Sequence, residues 1–341
     1  MKKAKLLTLL AIIPMVSGCT GFSYPEFGNL EEGEKYHVGI LLPVEHAALN
    51  TAKDGFIKGL AEEGWEVGKN IEFEVKNAQG KADDQKTMAK SLIASSILTL
   101  GLGTGAAKDL KSAQRSRGSK NPILFTAVTD PVDAGLVKNL NKPEGYVTGS
   151  SDAQPIDDQI ALLKEALPSA DKVGIFYTIS ESNSKVQATQ AISALNKAGI
   201  TEVVKTCTDS TDVQTSLASL VSEPGLDAIY IPTDNNVAAN MNYVSKAVKG
   251  KNILVFVGEE GMLSGGGHIT LSVSYEKLGV QTGKMAAKIL SGEAKPSELP
   301  VITMTKDECG YFINSKNLED SGLVLDTEFL ASHDFTDVCI D

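Results

Sequence analysis

From Tyr36 onward the chain alternates short apolar runs with longer stretches in which apolar residues return every three or four positions. The runs fall at 37–42, 71–75, 96–100, 123–128, 172–177, 202–205, 228–231 and 253–257. They are filled with Val, Ile, Leu and Phe and show little polar alternation. Continuous apolar strands of this kind belong to parallel sheets covered on both faces. The helical period is clear between them. Ile156, Ile160, Leu163 and Leu167 share one face of a helix that Pro155 is placed to open as its first residue. Ala188, Ile192 and Leu195 line a second helix, and Leu278, Thr282, Met285 and Ile289 a third. Strand–helix alternation of this length predicts an α/β fold with right-handed crossovers.

The series runs twice. Four strand–helix units precede Gly149 and a second set starts at Lys172, with the small, polar stretch Gly145-Tyr146-Val147-Thr148-Gly149-Ser150-Ser151-Asp152 between them. One open sheet holding every strand would be unusually wide, since such sheets rarely exceed about 10 strands. The expectation is two doubly wound parallel-sheet lobes joined by a hinge. A length of 341 residues with 42% hydrophobic side chains is ample for two cores.

The N-terminus reads as an export signal. Lys2, Lys3 and Lys5 precede an apolar run from Leu6 to Val16, and Val16-Ser17-Gly18 lead into Cys19. The run is too short to span a membrane, which takes about 20 apolar residues. Small residues followed directly by cysteine resemble the bacterial lipobox. Residues 1–18 are then a lipoprotein signal peptide and Cys19 takes the lipid, holding the protein on the outer face of a membrane. The alternative is an ordinary signal with a chance cysteine. Residues 19–35, rich in Gly, Glu and Pro, form the tether. The formal net charge of −11 becomes more negative once the leading lysines are removed, which argues against nucleic acid and against a polybasic grip on lipid. The spacing of Cys207, Cys309 and Cys339 matches no zinc pattern. A disulfide between Cys309 and Cys339 and three free thiols both remain open, the pair being preferred because both lie in the C-terminal tail.

Catalytic signatures are sparse. Gly101-Leu102-Gly103-Thr104-Gly105-Ala106 has the spacing of a dinucleotide turn, but Phe125-Thr126-Ala127 stands where the ribose-binding acid belongs. The turn still suits an anion or carboxylate, because glycines allow close approach and helix N-terminal amides favour negative charge. No P-loop, serine elbow or H-E-x-x-H is present. The four histidines are scattered. Neither an enzyme nor a cofactor is expected. More telling are polar clusters directly after predicted strands: Glu45-His46, Thr129-Asp130-Pro131, Ser180 to Ser184, Thr233-Asp234-Asn235 and Glu259-Glu260-Gly261. Ligands of open α/β sheets bind outside the carboxyl ends of strands, so clusters in both halves imply a cleft between them.

The run Pro122 to Pro131, with Ala134-Gly135-Leu136-Val137 after it, resembles the signature of ABC transporter substrate-binding lipoproteins of the TrpX-like family. Further matches are Asn77-Ala78-Gln79-Gly80, Ser180-Glu181 with Asn183-Ser184, Ile231-Pro232-Thr233-Asp234-Asn235, Gly258 to Met262, and Tyr275 with Leu278-Gly279. The resemblance implies a type I periplasmic-binding-protein fold whose lobes comprise residues 36–148 plus 274–296 and residues 149–273 plus 297–341. It implies a partner permease and ATPase, and aromatic amino acids as the ligand class. The chain departs from the family at Thr104-Gly105-Ala106-Ala107, where Thr-Pro-Ala-Ala is common, and at His46-Ala47-Ala48-Leu49-Asn50, where His-Pro-Ala-Leu-Asp is common. Both segments face the expected cleft.

The expected ligand is a small zwitterion. Asp234 is assigned to its ammonium, because a carboxylate in a poorly solvated cleft pairs strongly with a cation. Thr104, Ser182 and Asn183 are assigned to its carboxylate, Thr129 and Asp130 to bridging the lobes, and Glu45 and His46 to the side-chain pocket. Asn235 and Glu259 complete the site. The rival readings are a ligand-sensing receptor and an extracytoplasmic hydrolase.

Overall fold

The computed structural model describes residues 26–31 and 33–339, so the expected signal peptide and Cys19 lie outside the described residues. Its first sheet contains β1 (Tyr36–Leu42), β2 (Ile71–Asn77), β3 (Leu98–Leu102), β4 (Ile123–Thr126) and β5 (Val147–Gly149). All pairs are parallel, in the order β2-β1-β3-β4-β5. Helices α1 (Ala47–Glu62), α2 (Ala82–Ser95) and α3 (Gly103–Arg117) connect the first four strands. Both faces of the sheet are covered, which is why β1, β3 and β4 are almost wholly buried and read as unbroken apolar runs.

The second lobe opens with α4 (Ile156–Ala166) and continues through β6 (Lys172–Thr178), α5 (Ser182–Lys197), β7 (Thr201–Cys207), α6 (Val213–Val221) and β8 (Ala228–Ile231). Then follow α7 (Asn235–Ala238), α8 (Met241–Val248), β9 (Leu254–Val257), a 3-10 turn (Glu260–Gly265) and β10 (Ile269–Ser272). Its sheet has the order β12-β11-β10-β9-β8-β6-β7 once β11 (Gly310–Ile313) and β12 (Phe335–Asp337) are added. Between β10 and β11 the chain returns to the first lobe as α9 (Tyr275–Leu290), and α10 (Ser315–Ser321) and α11 (Thr327–Ser332) separate β11 from β12.

Helix α9 is held against α1 by glycines on both sides of the contact. A Cβ on Gly279 would stand 2.1 Å from the Ala52 carbonyl oxygen, and one on Gly59 would stand 2.2 Å from that of Val280. Only glycine permits that backbone approach, and Phe56, Leu60, Leu278 and Ile289 fill the core beside it.

Four details differ from expectation. Pro155 is the N-cap of α4 and Leu167 its C-cap, so the helix proper begins at Ile156. The second sheet is not wholly parallel: β10 and β11 run antiparallel, because β11 enters after the last crossing from the opposite end. The third crossing lies later than residue 296. The Val301 N–H donates to the Leu140 carbonyl and the Ile302 N–H to that of Gly149, while Val301 is buried beside Ile123 and Phe125, so residues 297–302 belong to the first lobe. Finally, Cys309 and Cys339 are free thiols, as is Cys207. Strands β11 and β12 are parallel with Tyr311 opposite Phe335, which sets Cys309 level with His333. Cys339 is then displaced along the strand by roughly 20 Å, far beyond disulfide reach.

Candidate functional site

The carboxyl ends of the strands in the two sheets face one another, and the loops that leave them enclose a cavity of about 260 Å³. The first lobe contributes Pro43 and Val44 after β1, Gly80 after β2, and Thr104 and Gly105 at the start of α3. Across the cleft stand Ser180 to Asn183 after β6 and Asn235 and Asn236 after β8. Thus Thr104, Ser182, Asn183 and Asn235 are brought together from both lobes. The glycine turn explains the approach. Gly103 has a φ of +78°, which turns the chain directly into α3, and a Cβ there would come 3.6 Å from Asn235 Oδ1 of the opposite lobe. Two long helices, α3 and α5, aim their N-termini at this cavity, an arrangement that favours a carboxylate.

Asp234 does not line the cavity. Its carboxyl accepts from the Thr178 N–H at 2.6 Å, the Thr178 hydroxyl at 2.8 Å and the Val237 N–H at 2.9 Å. It caps α7 and ties the end of β8 to β6. Burial pushes it up, and these donors pull the other way. The ammonium role expected for it is corrected: its lone pairs are spent inside the second lobe. Glu181, three residues beyond the end of β6, lines the cavity and holds the same loop from the other side. It accepts from the N–H groups of Asn235 and Asn236 at 3.0 and 2.9 Å and from the Asn235 side chain at 2.7 Å. Burial, reinforced by the nearby Asp234 charge, raises its carboxyl. Asn183 is likewise engaged within its lobe, since its Nδ2 donates to the Thr233 carbonyl at 3.0 Å.

Asp130 is exposed and caps a turn in the first lobe, accepting from the N–H groups of Val132 and Asp133 at 3.0 and 2.9 Å. It does not bridge the lobes, because the turn it closes faces solvent. Thr129 is buried, and its carbonyl accepts from the Ser151 hydroxyl at 3.0 Å, tying the first lobe to the crossing. Glu45 is exposed and outside the cavity lining. His46, beside it, meets Asn235 Oδ1 of the other lobe with Nε2 at 3.1 Å.

Behind the cavity lies a second group of polar side chains, knitted by the crossings. Asp152, in the first crossing, is fully buried. Its Oδ2 accepts from the Tyr275 hydroxyl at 2.6 Å, while Oδ1 has no hydrogen-bond partner. Glu259, after β9, is equally buried. Its Oε2 accepts from the Gly261 N–H at 2.5 Å, and Oε1 has no partner. Burial raises both carboxyls, that of Glu259 to about 8, and the charge of Asp152 contributes to the Glu259 shift. One acid from the crossing and one from the second lobe therefore each present a free oxygen in a dry place. Such a pair is a receptor for a cation with several donors, such as an ammonium. The sequence reading overlooked Asp152 because it sits in a stretch of small residues that looks like a plain connection. The one available signal was an acid beside Ser150 and Ser151 at a point where the chain crosses between lobes. Among the described residues no group of three or more His, Cys, Asp or Glu side chains is placed to hold a metal ion.

The family model for ABC transporter substrate binding proteins matches residues 37–336. The chain is 34% identical to a tyrosine-binding protein of Clostridioides difficile over 93% of its own length and 92% of the relative's. Among solved structures it resembles an ABC domain from Streptococcus pneumonia in complex with L-Trp, with a TM-score of 0.80, 31% identity, and coverage of 88% of this chain and 99% of that one. It also resembles the ligand-free, open structure of a substrate binding protein with adhesive properties from Clostridium difficile. There the identity is higher, 36%, over 89% of this chain and 99% of that one, yet the TM-score is only 0.63. In the present structure His46 and Asn235 meet across the cleft.

Proposed function

This chain belongs to the family of ABC transporter substrate binding proteins, and from that premise we propose that it captures an aromatic L-amino acid between its lobes and passes it unchanged to a membrane permease driven by an ATPase. The observation that carries the reading is the pair of buried carboxyls, Asp152 and Glu259, each with an unpartnered oxygen. The amino acid's ammonium sits between them. Its carboxylate lies toward Thr104 and the N-termini of α3 and α5. The relatives that bind tyrosine and L-Trp support the aromatic class. Closure follows from the geometry, because a ligand held by the first crossing, the first lobe and the second lobe at once stabilises only the arrangement that brings all three together. The same proposal places the protein outside the cytoplasm, anchored through a lipid on Cys19.

The test is calorimetry of purified protein with L-tyrosine and L-tryptophan. Nanomolar to micromolar binding is expected, and Asp152→Asn and Glu259→Gln are each expected to weaken it about tenfold or more, since removing one partner of a buried ion pair is costly. Unchanged affinity in both variants would move the ammonium elsewhere. Mass spectrometry of membrane-extracted protein checks the anchor: the expected first residue is a diacylglyceryl Cys19.

A further inference from the structure

Three side chains form a relay across the mouth of the cleft. The Glu181 carboxyl accepts three N–H groups from Asn235 and Asn236, one of them the side-chain Nδ2 of Asn235 at 2.7 Å. A group that accepts in this way leaves the Asn235 amide one orientation, with Nδ2 toward Glu181 and Oδ1 away from it. That oxygen stands 3.1 Å from His46 Nε2. An amide oxygen only accepts, so Nε2 carries the imidazole proton and Nδ1 is left as a bare acceptor. Nδ1 is buried and has no hydrogen-bond partner. Burial holds the ring pKa down to about 4, so the imidazole is neutral at physiological pH. One turn further along α1, Asn50 Oδ1 is also buried without a partner, and the i, i+4 spacing sets it on the same side of the helix. Val44, two residues before His46, and Asn235, its hydrogen-bond partner, both line the cavity, and His46 stands behind them.

The geometry points to His46 Nδ1 as the reader of a hydrogen-bond donor on the ligand's ring, the O–H of a phenol or the N–H of an indole. This deepens the reading of the cleft as an aromatic amino-acid site and rests on it. A buried acceptor without a partner is unfavourable, so a ligand that supplies a donor removes that cost and one without a donor leaves it standing. Sites built to hydrogen-bond a ligand discriminate sharply against the analogue that lacks the group. His46 is therefore a specificity residue that separates tyrosine and tryptophan from phenylalanine, and Glu181 and Asn235 are the positioning residues that set its tautomer.

Calorimetry of the purified full chain with L-tyrosine, L-tryptophan and L-phenylalanine tests this. The first two are expected to bind about tenfold or more tighter than phenylalanine. In His46→Phe, checked for folding by thermal unfolding, the gap is expected to narrow to about twofold, the discrimination having lost its acceptor. Equal affinity of the native protein for all three would overturn the role of His46 while leaving the aromatic site intact. Failure of all three to bind would overturn the aromatic site itself. Nitrogen-15 NMR of histidine-labelled native protein gives a readout independent of any variant. The unprotonated Nδ1 resonance of His46 is expected to shift on adding tyrosine or tryptophan, and a resonance that does not move would overturn the proposal.

Discussion

Three donors hold the Asp234 carboxyl inside its own lobe, whereas Asp152 keeps an oxygen without a hydrogen-bond partner; that difference separates a structural acid from one available to a ligand. Asp234→Ala removes the cap of α7 and leaves the buried Thr178 N–H without its acceptor. We expect it to lower stability by about 2–4 kcal/mol in denaturant unfolding, and to leave the affinity of the folded protein for tyrosine within a few-fold of native, measured by calorimetry. Glu259 makes the opposite prediction. Its pKa is raised to about 8 in the folded protein, chiefly by burial. The folded state therefore holds a proton that the unfolded chain has lost, and the contribution of this group to stability falls as pH rises from the ordinary carboxylate range toward 8. An ammonium needs the charged form, so binding displaces that proton. Affinity is expected to rise with pH between about 6 and 8, by at most tenfold per unit, and to level off above. Calorimetry in buffers of different ionisation enthalpy reads the proton released, and Glu259→Gln should abolish both the slope and the release. Glu259 was legible as an acid after an apolar run; which of its oxygens stays free was not.

The elements were far more legible than their caps and partners. The strands expected at 37–42, 172–177 and 228–231 match β1, β6 and β8 to within a residue at each end, because burial on both faces writes itself into the sequence as continuous Val, Ile, Leu and Phe. The strands that escaped notice, β5, β10, β11 and β12, are three or four residues long and owe their pairing to neighbours rather than to their own composition. The α1–α9 contact shows the same limit. Gly55, Gly59, Gly279 and Gly283 read singly as weak points in helices, and only the packed pair reveals why they are small. Gly279→Ala drives a methyl toward the Ala52 carbonyl oxygen, 2.1 Å from the ideal Cβ position. The helices must separate, and overpacking of this kind costs about 1–3 kcal/mol. Thermal unfolding should show the first lobe destabilised, whereas a midpoint equal to native would mean that α9 shifts freely.

At the scale of the molecule, the lobes meet through His46 and Asn235 and are joined by three strands of chain that cross the hinge. Small-angle scattering is expected to give a larger radius of gyration for ligand-free protein than for protein saturated with L-tyrosine, since a ligand touching both lobes favours the closed arrangement. Equal radii would mean that the closed arrangement is intrinsic to the fold. The α/β class, the doubled pattern and the strand-end placement of polar clusters were determined by the sequence alone, because each depends on periodicity and near neighbours along the chain. Which acid is saturated and which keeps a free oxygen was decided only by tertiary structure. Asp234 is saturated by a threonine 56 positions away, and Asp152 is oriented by a tyrosine 123 positions away. Whether a buried carboxylate keeps a lone pair for a ligand depends on which donors folding delivers to it. That delivery is a long-range event with no local trace in the sequence.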